Sequence, residues 1–113
     1  MLKKVIWCIL FIVLIQTSCY NRKLHRDTPM CLDEQIKKFK KTCCANGANV
    51  KLYLFNKQSV YVFNPGNCGA DMSSQVYDEK CNTLGHLGGF IGNTKINGED
   101  FSKAEFVKIV WEK

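Results

Sequence analysis

The sequence predicts an α+β domain, one N-terminal helix packed on an antiparallel sheet of about four or five strands and braced by disulfides. Three observations carry that expectation. A single apolar stripe at helical spacing precedes Asn46-Gly47, apolar runs of strand length follow it, and five of the seven cysteines lie beyond residue 30. The length of 113 residues allows one domain at most, since single cores grow to roughly 100–150 residues. It excludes a two-domain enzyme or a doubly wound nucleotide-binding fold. Two prolines and 46% apolar residues argue against disorder.

The N-terminus reads as an export signal. Lys3 and Lys4 supply a positive start, and Val5 to Ile15 is an unbroken apolar run. A spanning helix needs about 20 apolar residues, so this run fits the apolar region of a signal peptide instead. Residues 1–18 are therefore expected to be removed. The segment Ile15-Gln16-Thr17-Ser18-Cys19 resembles a bacterial lipobox, in which cleavage precedes a cysteine whose sulfur carries diacylglycerol. Thr17 and Ser18 are small enough for it; Gln16 departs from the usual leucine, a departure that Bacteroidota-type lipoproteins tolerate. The alternative is ordinary cleavage that leaves Cys19 for a disulfide. Several acyl chains on one sulfur would anchor the chain stably without spanning, at about 0.8 kcal/mol per buried CH₂. No aspartate follows Cys19 to retain it at an inner membrane, and Tyr20-Asn21-Arg22-Lys23 lacks the acidic cluster of a surface-export tag. The expected location is the periplasmic leaflet of the outer membrane.

Residues 19–30 read as the lipidated cysteine and a polar tether. Its basic residues either rest on anionic lipid or are simply solvated. The formal charge of +6 is misleading as a whole. From Cys31 to Lys113 eleven lysines face nine acids, leaving +2. That is an ordinary surface rather than a nucleic-acid footprint, so no nucleic-acid partner is expected.

Thr28-Pro29 predicts a helix start, with Thr28 as cap and Pro29 in the first turn. Leu32, Ile36, Phe39 and Cys43 form the apolar stripe. Asp33 and Glu34 near the start and Lys37, Lys38, Lys40 and Lys41 near the end suit the helix dipole. Two strands follow, Val50 to Phe55 and Val60 to Phe63. A three-residue loop at 57–59 would place Phe55 opposite Tyr61 and gather Tyr53, Phe55, Tyr61 and Phe63 on one face. A two-residue loop would mix aliphatic and aromatic residues. The first register is expected, and its aromatic face is the candidate contact surface for a protein or glycan partner; core burial is the competing reading. Asn64 to Asp71 is a turn cluster, Gln75 to Tyr77 a short strand, and residues 85–92 a segment with four glycines. Asn97-Gly98 marks a tight turn, Asp100 to Ala104 one helical turn, and Val107 to Glu112 a final strand.

Of the cysteines, Cys8 leaves with the signal and Cys19 is reserved for lipid. Cys31, Cys43, Cys44, Cys68 and Cys81 remain, which makes two bridges and one free thiol. The disulfide candidates are Cys68, Cys81, Cys31 and Cys44. A turn-to-turn bridge between Cys68 and Cys81 is plausible. Cys31 cannot bridge Cys43 or Cys44 across a straight helix, because twelve residues rise about 18 Å; either it reaches the sheet or the helix is shorter than residues 31–43. The vicinal pair is expected to send one sulfur to a distant partner. An exported location favours oxidised thiols.

Catalytic and metal motifs are weak. The cysteines lack the C-x₂-C pairing of structural zinc, so no metal is expected. A nucleophile built from Cys81 or another odd thiol with His86 has no family signature around either residue. The glycine segment lacks the Gly-Lys-Ser/Thr of a phosphate loop, and Asp78 to Asn82 lacks the distal glutamate of a calcium loop. No cofactor is expected.

The order of a cysteine-led helix, Val60-Tyr61-Val62-Phe63-Asn64-Pro65, Cys68-Gly69-Ala70-Asp71, Val76-Tyr77-Asp78, Gly88-Gly89-Phe90-Ile91-Gly92, Asp100-Phe101 and Ile109-Val110-Trp111 resembles a family of small uncharacterised Bacteroidota lipoprotein domains. The resemblance covers about residues 31–113; its motifs are structural rather than catalytic, and it supplies no established activity. The expected function is a membrane-anchored lipoprotein with a non-catalytic binding or structural domain. The alternatives are a small thiol- or hydrolase-type enzyme and an inhibitor of an extracytoplasmic enzyme.

Overall fold

The computed structural model describes residues 28–113. The expected signal segment, Cys19 and the tether up to residue 27 lie outside the described residues. Among the described residues one helix, α1 (Met30–Thr42), precedes seven strands: β1 (Asn49–Phe55), β2 (Gln58–Asn64), β3 (Ser73–Asp78), β4 (Thr83–Gly88), β5 (Lys95–Ile96), β6 (Glu99–Asp100) and β7 (Glu105–Glu112). Five of them form one antiparallel sheet in the order β4-β3-β2-β1-β7, and β5 and β6 form a small hairpin of their own. This is the expected α+β class with a helix on an antiparallel sheet.

The helix starts one residue later than the sequence suggests. Pro29 occupies the cap position without a side-chain bond, and its carbonyl accepts from the Leu32 and Asp33 amides at 3.0 and 3.3 Å. Leu32 and Ile36 are buried and Phe39 is half-buried. They press on Val50, Leu52, Tyr61 and Phe63 of the sheet, joined by Trp111 and Val110. That is one core.

The second core lies on the other face. Phe55, Val60, Val62 and Val76 are covered there by Ile96, with Tyr53, Leu84, Leu87, Phe101 and Ala104 around them. The cover is the chain excursion from β4 to β7, which includes the β5–β6 hairpin and the single 3-10 turn Phe101–Lys103. Asp100 caps that turn by accepting from the Ser102 amide at 2.9 Å. Central strand β2 is thus buried on both faces, and Val60, Tyr61, Val62 and Phe63 are buried in succession. Ile96 is a fully buried isoleucine on a two-residue strand, so it anchors the whole excursion. Ile96→Ala is expected to destabilise the domain by about 2–4 kcal/mol. Hydrogen exchange should then accelerate selectively in residues 89–104, and uniform acceleration would contradict the anchoring role.

The expected hairpin register is corrected. Asn56 and Lys57 alone make the turn, with φ of 50° and 62°, and Phe55 pairs with Gln58 rather than Tyr61. Two successive residues at positive φ give a turn whose twist matches the flanking strands. The slip mixes aliphatic and aromatic side chains on both faces. Each face has its own cover, so keeping the two kinds apart brings no gain. The first part of the glycine segment, to which the sequence assigned no element, lies in the edge strand β4, Thr83–Gly88. In β7 two irregularities against β1 break simple alternation, so Val110 and Trp111 both serve the helix-side core.

Both disulfides of the domain staple α1 to the sheet. Cys31 joins Cys81 with Cα atoms 6.2 Å apart, and Cys44 joins Cys68 at 5.5 Å. The Cys68–Cys81 pairing is corrected. Those residues sit at opposite ends of β3, whose six residues extend about 20 Å, well beyond disulfide reach.

Candidate functional site

The proposed contact face does not exist as a single surface. Tyr61 and Phe63 face α1, whereas Tyr53 and Phe55 face the β4–β7 excursion. Phe55, Tyr61 and Phe63 are only 3–5% exposed. Tyr53 is half-buried and stacks edge-on against Phe101 and Phe106 at 5.3 and 5.7 Å. Both sheet faces are covered, so these rings build the cores.

A groove beside α1 is the better candidate. The helix covers β1 and β2 but leaves its flank open above β3. There Gln35, Lys38, Phe39 and Thr42 face Ser73, Gln75 and Tyr77 across a floor of Phe63 and Pro65, enclosing about 270 Å³. The alternation of β3 explains the strand side: Ser73, Gln75 and Tyr77 share one face, opposite Val76 in the second core. The aromatic floor is continuous. Phe39 meets Phe63 edge-on at 5.2 Å, and Phe63 meets Tyr77 at 5.0 Å. On the far side Phe39 also contacts Trp111, at 5.9 Å, and Lys40 lies 5.5 Å over that indole. The lip is mostly neutral amide and hydroxyl, with Lys38 as its single charge. Such a mixture suits a small polar ligand with an apolar face.

The groove is held at both ends by the staples. At its upper end Cys44–Cys68 and the Cys44 amide, which donates to the Pro65 carbonyl at 2.9 Å, lock the helix exit to the end of β2. At the lower end Cys31–Cys81 ties the helix start to the β3–β4 turn. Asp78 organises that turn. Its carboxylate accepts from the Lys80 and Asn82 amides at 2.9 Å and from the Asn82 side chain at 3.1 Å. Burial works against the charged form. The bonds from Asn82 and Lys80, with the Lys80 charge, outweigh it and hold the carboxyl below its ordinary value. A carboxyl depressed in the folded state stabilises above its unfolded pKa of about 3.9 and loses that contribution as pH falls through the lower folded value. Chemical denaturation between pH 7 and pH 2.5 should therefore show an acid-side loss that Asp78→Ala reduces. An unchanged acid profile in that variant would contradict the role.

The thiol expectations separate. Cys81 is in a disulfide, which leaves Cys43 as the free thiol among the described residues. Cys43 donates to the Lys40 carbonyl at 3.7 Å and accepts from Lys113 Nζ at 3.9 Å. Lys113 follows β7, whereas the exposed His86 lies on β4, the opposite edge of the sheet. The imagined pairing of Cys81 with His86 is thereby corrected. No group of three or more His, Cys, Asp or Glu residues is placed to hold a metal ion among the described residues.

Sequence reasoning missed the groove because none of its residues forms a motif. It also missed the exposed apolar side chains. Phe90 and Ile91 are 88% and 91% exposed at a loop tip, and Phe106, Val107 and Ile109 stand half-exposed on edge strand β7. The glycines flanking Phe90-Ile91 were the one available signal.

The chain is therefore a doubly stapled helix-on-sheet domain with a small helix-flank groove. Residues 35–113 match a domain family of unknown function, DUF6970, and the chain belongs to that family. No curated protein and no solved structure matches it.

Proposed function

We propose that the chain is a Bacteroidota-type lipoprotein, anchored through Cys19 to the periplasmic leaflet of the outer membrane, whose domain binds a partner without catalysis. The observation that carries the reading is the pair of staples at the two ends of α1. Such cross-links persist in oxidising compartments, and the Lys3-Lys4 start, apolar run and Ser18-Cys19 junction provide the route there. The binding surface is the groove between α1 and β3, and its ligand is a neutral polar moiety of a protein or glycan. An aromatic floor with amide and hydroxyl groups at its lip supports that choice.

The test is fractionation of the native cells. The protein should be found in the outer-membrane fraction, in the detergent phase after phase separation, and protected from protease added to intact cells. Inhibition of the lipoprotein signal peptidase should accumulate a larger precursor. Recovery from the cytosolic fraction with Met1 intact would overturn it.

A further inference from the structure

We propose that the Phe90-Ile91 tip is a second membrane contact, a small wedge that enters the lipid interface beside the lipid anchor. The inference rests on the reading that Cys19 holds the chain at a bilayer.

The tip is built to stay outside the protein. Phe90 and Ile91 are almost wholly exposed, yet the turn that carries them is well ordered by bonds. Gly88 and Asn93 exchange main-chain bonds at 2.8 and 3.0 Å, the Gly92 amide donates to Gly89, and the Gly89 amide donates to Met72, both at 3.1 Å. The Asn93 side chain adds donations to the His86 and Lys95 carbonyls at 2.6 and 2.8 Å. Four amides of the turn are thus already paired, which removes much of the penalty of bringing backbone into an apolar medium. Gly88 and Gly89 both take φ of 80°, which frees the chain to turn outward at this point.

The surroundings point to lipid rather than to a charged partner. Residues 72–77 and 81–94 contain no Asp, Glu, Lys or Arg. These are strands β3 and β4 with their outer loop, so one whole edge of the sheet lacks formal charge apart from the distant turn at 78–80. Met72, 39% exposed, neighbours the tip through its carbonyl bond to Gly89. A convex pair of apolar side chains needs a pocket of matching shape in a protein, but a bilayer interface yields around it.

The anchor allows the geometry. The helix start is stapled to the β3–β4 turn, at the opposite end of that hairpin from Phe90. The hairpin is about 20 Å long. Ten residues separate Cys19 from Met30 and reach at most about 35 Å. The tip can therefore meet the same membrane that holds Cys19, with the uncharged edge laid along it.

The experiment uses the mature protein from Cys19 onward, whose one native indole is Trp111, carrying Phe90→Trp and mixed with excess vesicles of three parts phosphatidylcholine to one part phosphatidylglycerol, with and without brominated acyl chains. The expected result is a blue-shifted emission, absent from the parent, that brominated lipid quenches at least twofold more than the parent's Trp111. Ile91→Asp added to that variant should abolish the extra quenching. An introduced indole whose emission stays water-like, or quenching unchanged by Ile91→Asp, would overturn the wedge. Flotation of the parent with the vesicles reports the anchor separately. If the parent floats while the introduced indole is not quenched, the wedge fails alone. If the parent fails to float, the anchor reading fails, and the wedge, as a contact beside that anchor, fails with it.

Discussion

Replacing Cys31 and Cys81 together with serine should lower the unfolding free energy by about 4 kcal/mol. The bridge closes a separation of 50 residues, and restricting a loop of that size in the unfolded chain stabilises by about that amount. The Cys44–Cys68 bridge closes 24 residues and should contribute about 3 kcal/mol by the same reasoning. A domain of this size has a net stability of about 4–13 kcal/mol. Loss of the first bridge alone therefore removes about three tenths of it or more. At about 4–8 °C per kcal/mol, the thermal midpoint should fall by roughly 15–30 °C. The double substitution matters, because a single one leaves a thiol free to exchange. Reduction of both bridges should unfold the domain near body temperature. A loss below about 1 kcal/mol in the Cys31/Cys81 variant would show that this bridge is not formed in the native protein.

Gly66→Ala should be the most damaging single substitution outside the two cores and the disulfides, at about 3 kcal/mol or more. Gly66 has φ of 90°, and a Cβ placed there would lie 2.3 Å from the Asn46 carbonyl oxygen and 2.9 Å from the Ala48 nitrogen. Neither atom belongs to a flexible side chain. The Asn46 carbonyl accepts from Asn67, and the Ala48 carbonyl accepts from Lys113 at the end of β7. Moving them would disturb the helix exit, the Cys44–Cys68 staple and the upper end of the groove together. Gly92→Ala is the matching control. Gly92 also has positive φ, 68°, but a Cβ there meets nothing within 4 Å, so only the conformational penalty of about 1 kcal/mol applies. Denaturation midpoints compare the two. Equal effects would contradict the close approach at Gly66.

The contrast between these glycines shows what a sequence conceals. Both are flanked by turn residues, and nothing local says which one sits against another backbone. The helix was legible because Leu32, Ile36 and Phe39 recur at helical spacing, and Asn97-Gly98 was legible as a turn because its two positive φ values, 51° and 77°, suit those residue types. Helix length alone excluded a bridge from Cys31 to Cys43 or Cys44, but it did not name Cys81 as the partner. The hairpin at Asn56-Lys57 was not legible, since lysine is an unusual residue at positive φ and the aliphatic-aromatic sorting that favoured another register has no force when both faces are buried. β4 was hidden by its own glycines, Gly85 and Gly88. The groove was hidden for a different reason. Gln35, Thr42, Ser73 and Gln75 come from two elements far apart in the sequence that only the fold brings side by side, and each residue alone is an ordinary surface group.

The central claim is that this chain matures outside the cytosol, with the helix oxidised onto the sheet at both ends. Mass spectrometry of the intact protein extracted from native membranes, alkylated before and after reduction, tests it most directly. The account predicts one alkylated thiol, Cys43, in the unreduced protein and five after reduction. It also predicts an N-terminus at Cys19 carrying the mass of acyl chains. A chain that begins at Met1, lacks acyl mass and takes the same number of alkyl groups with and without reduction would contradict it.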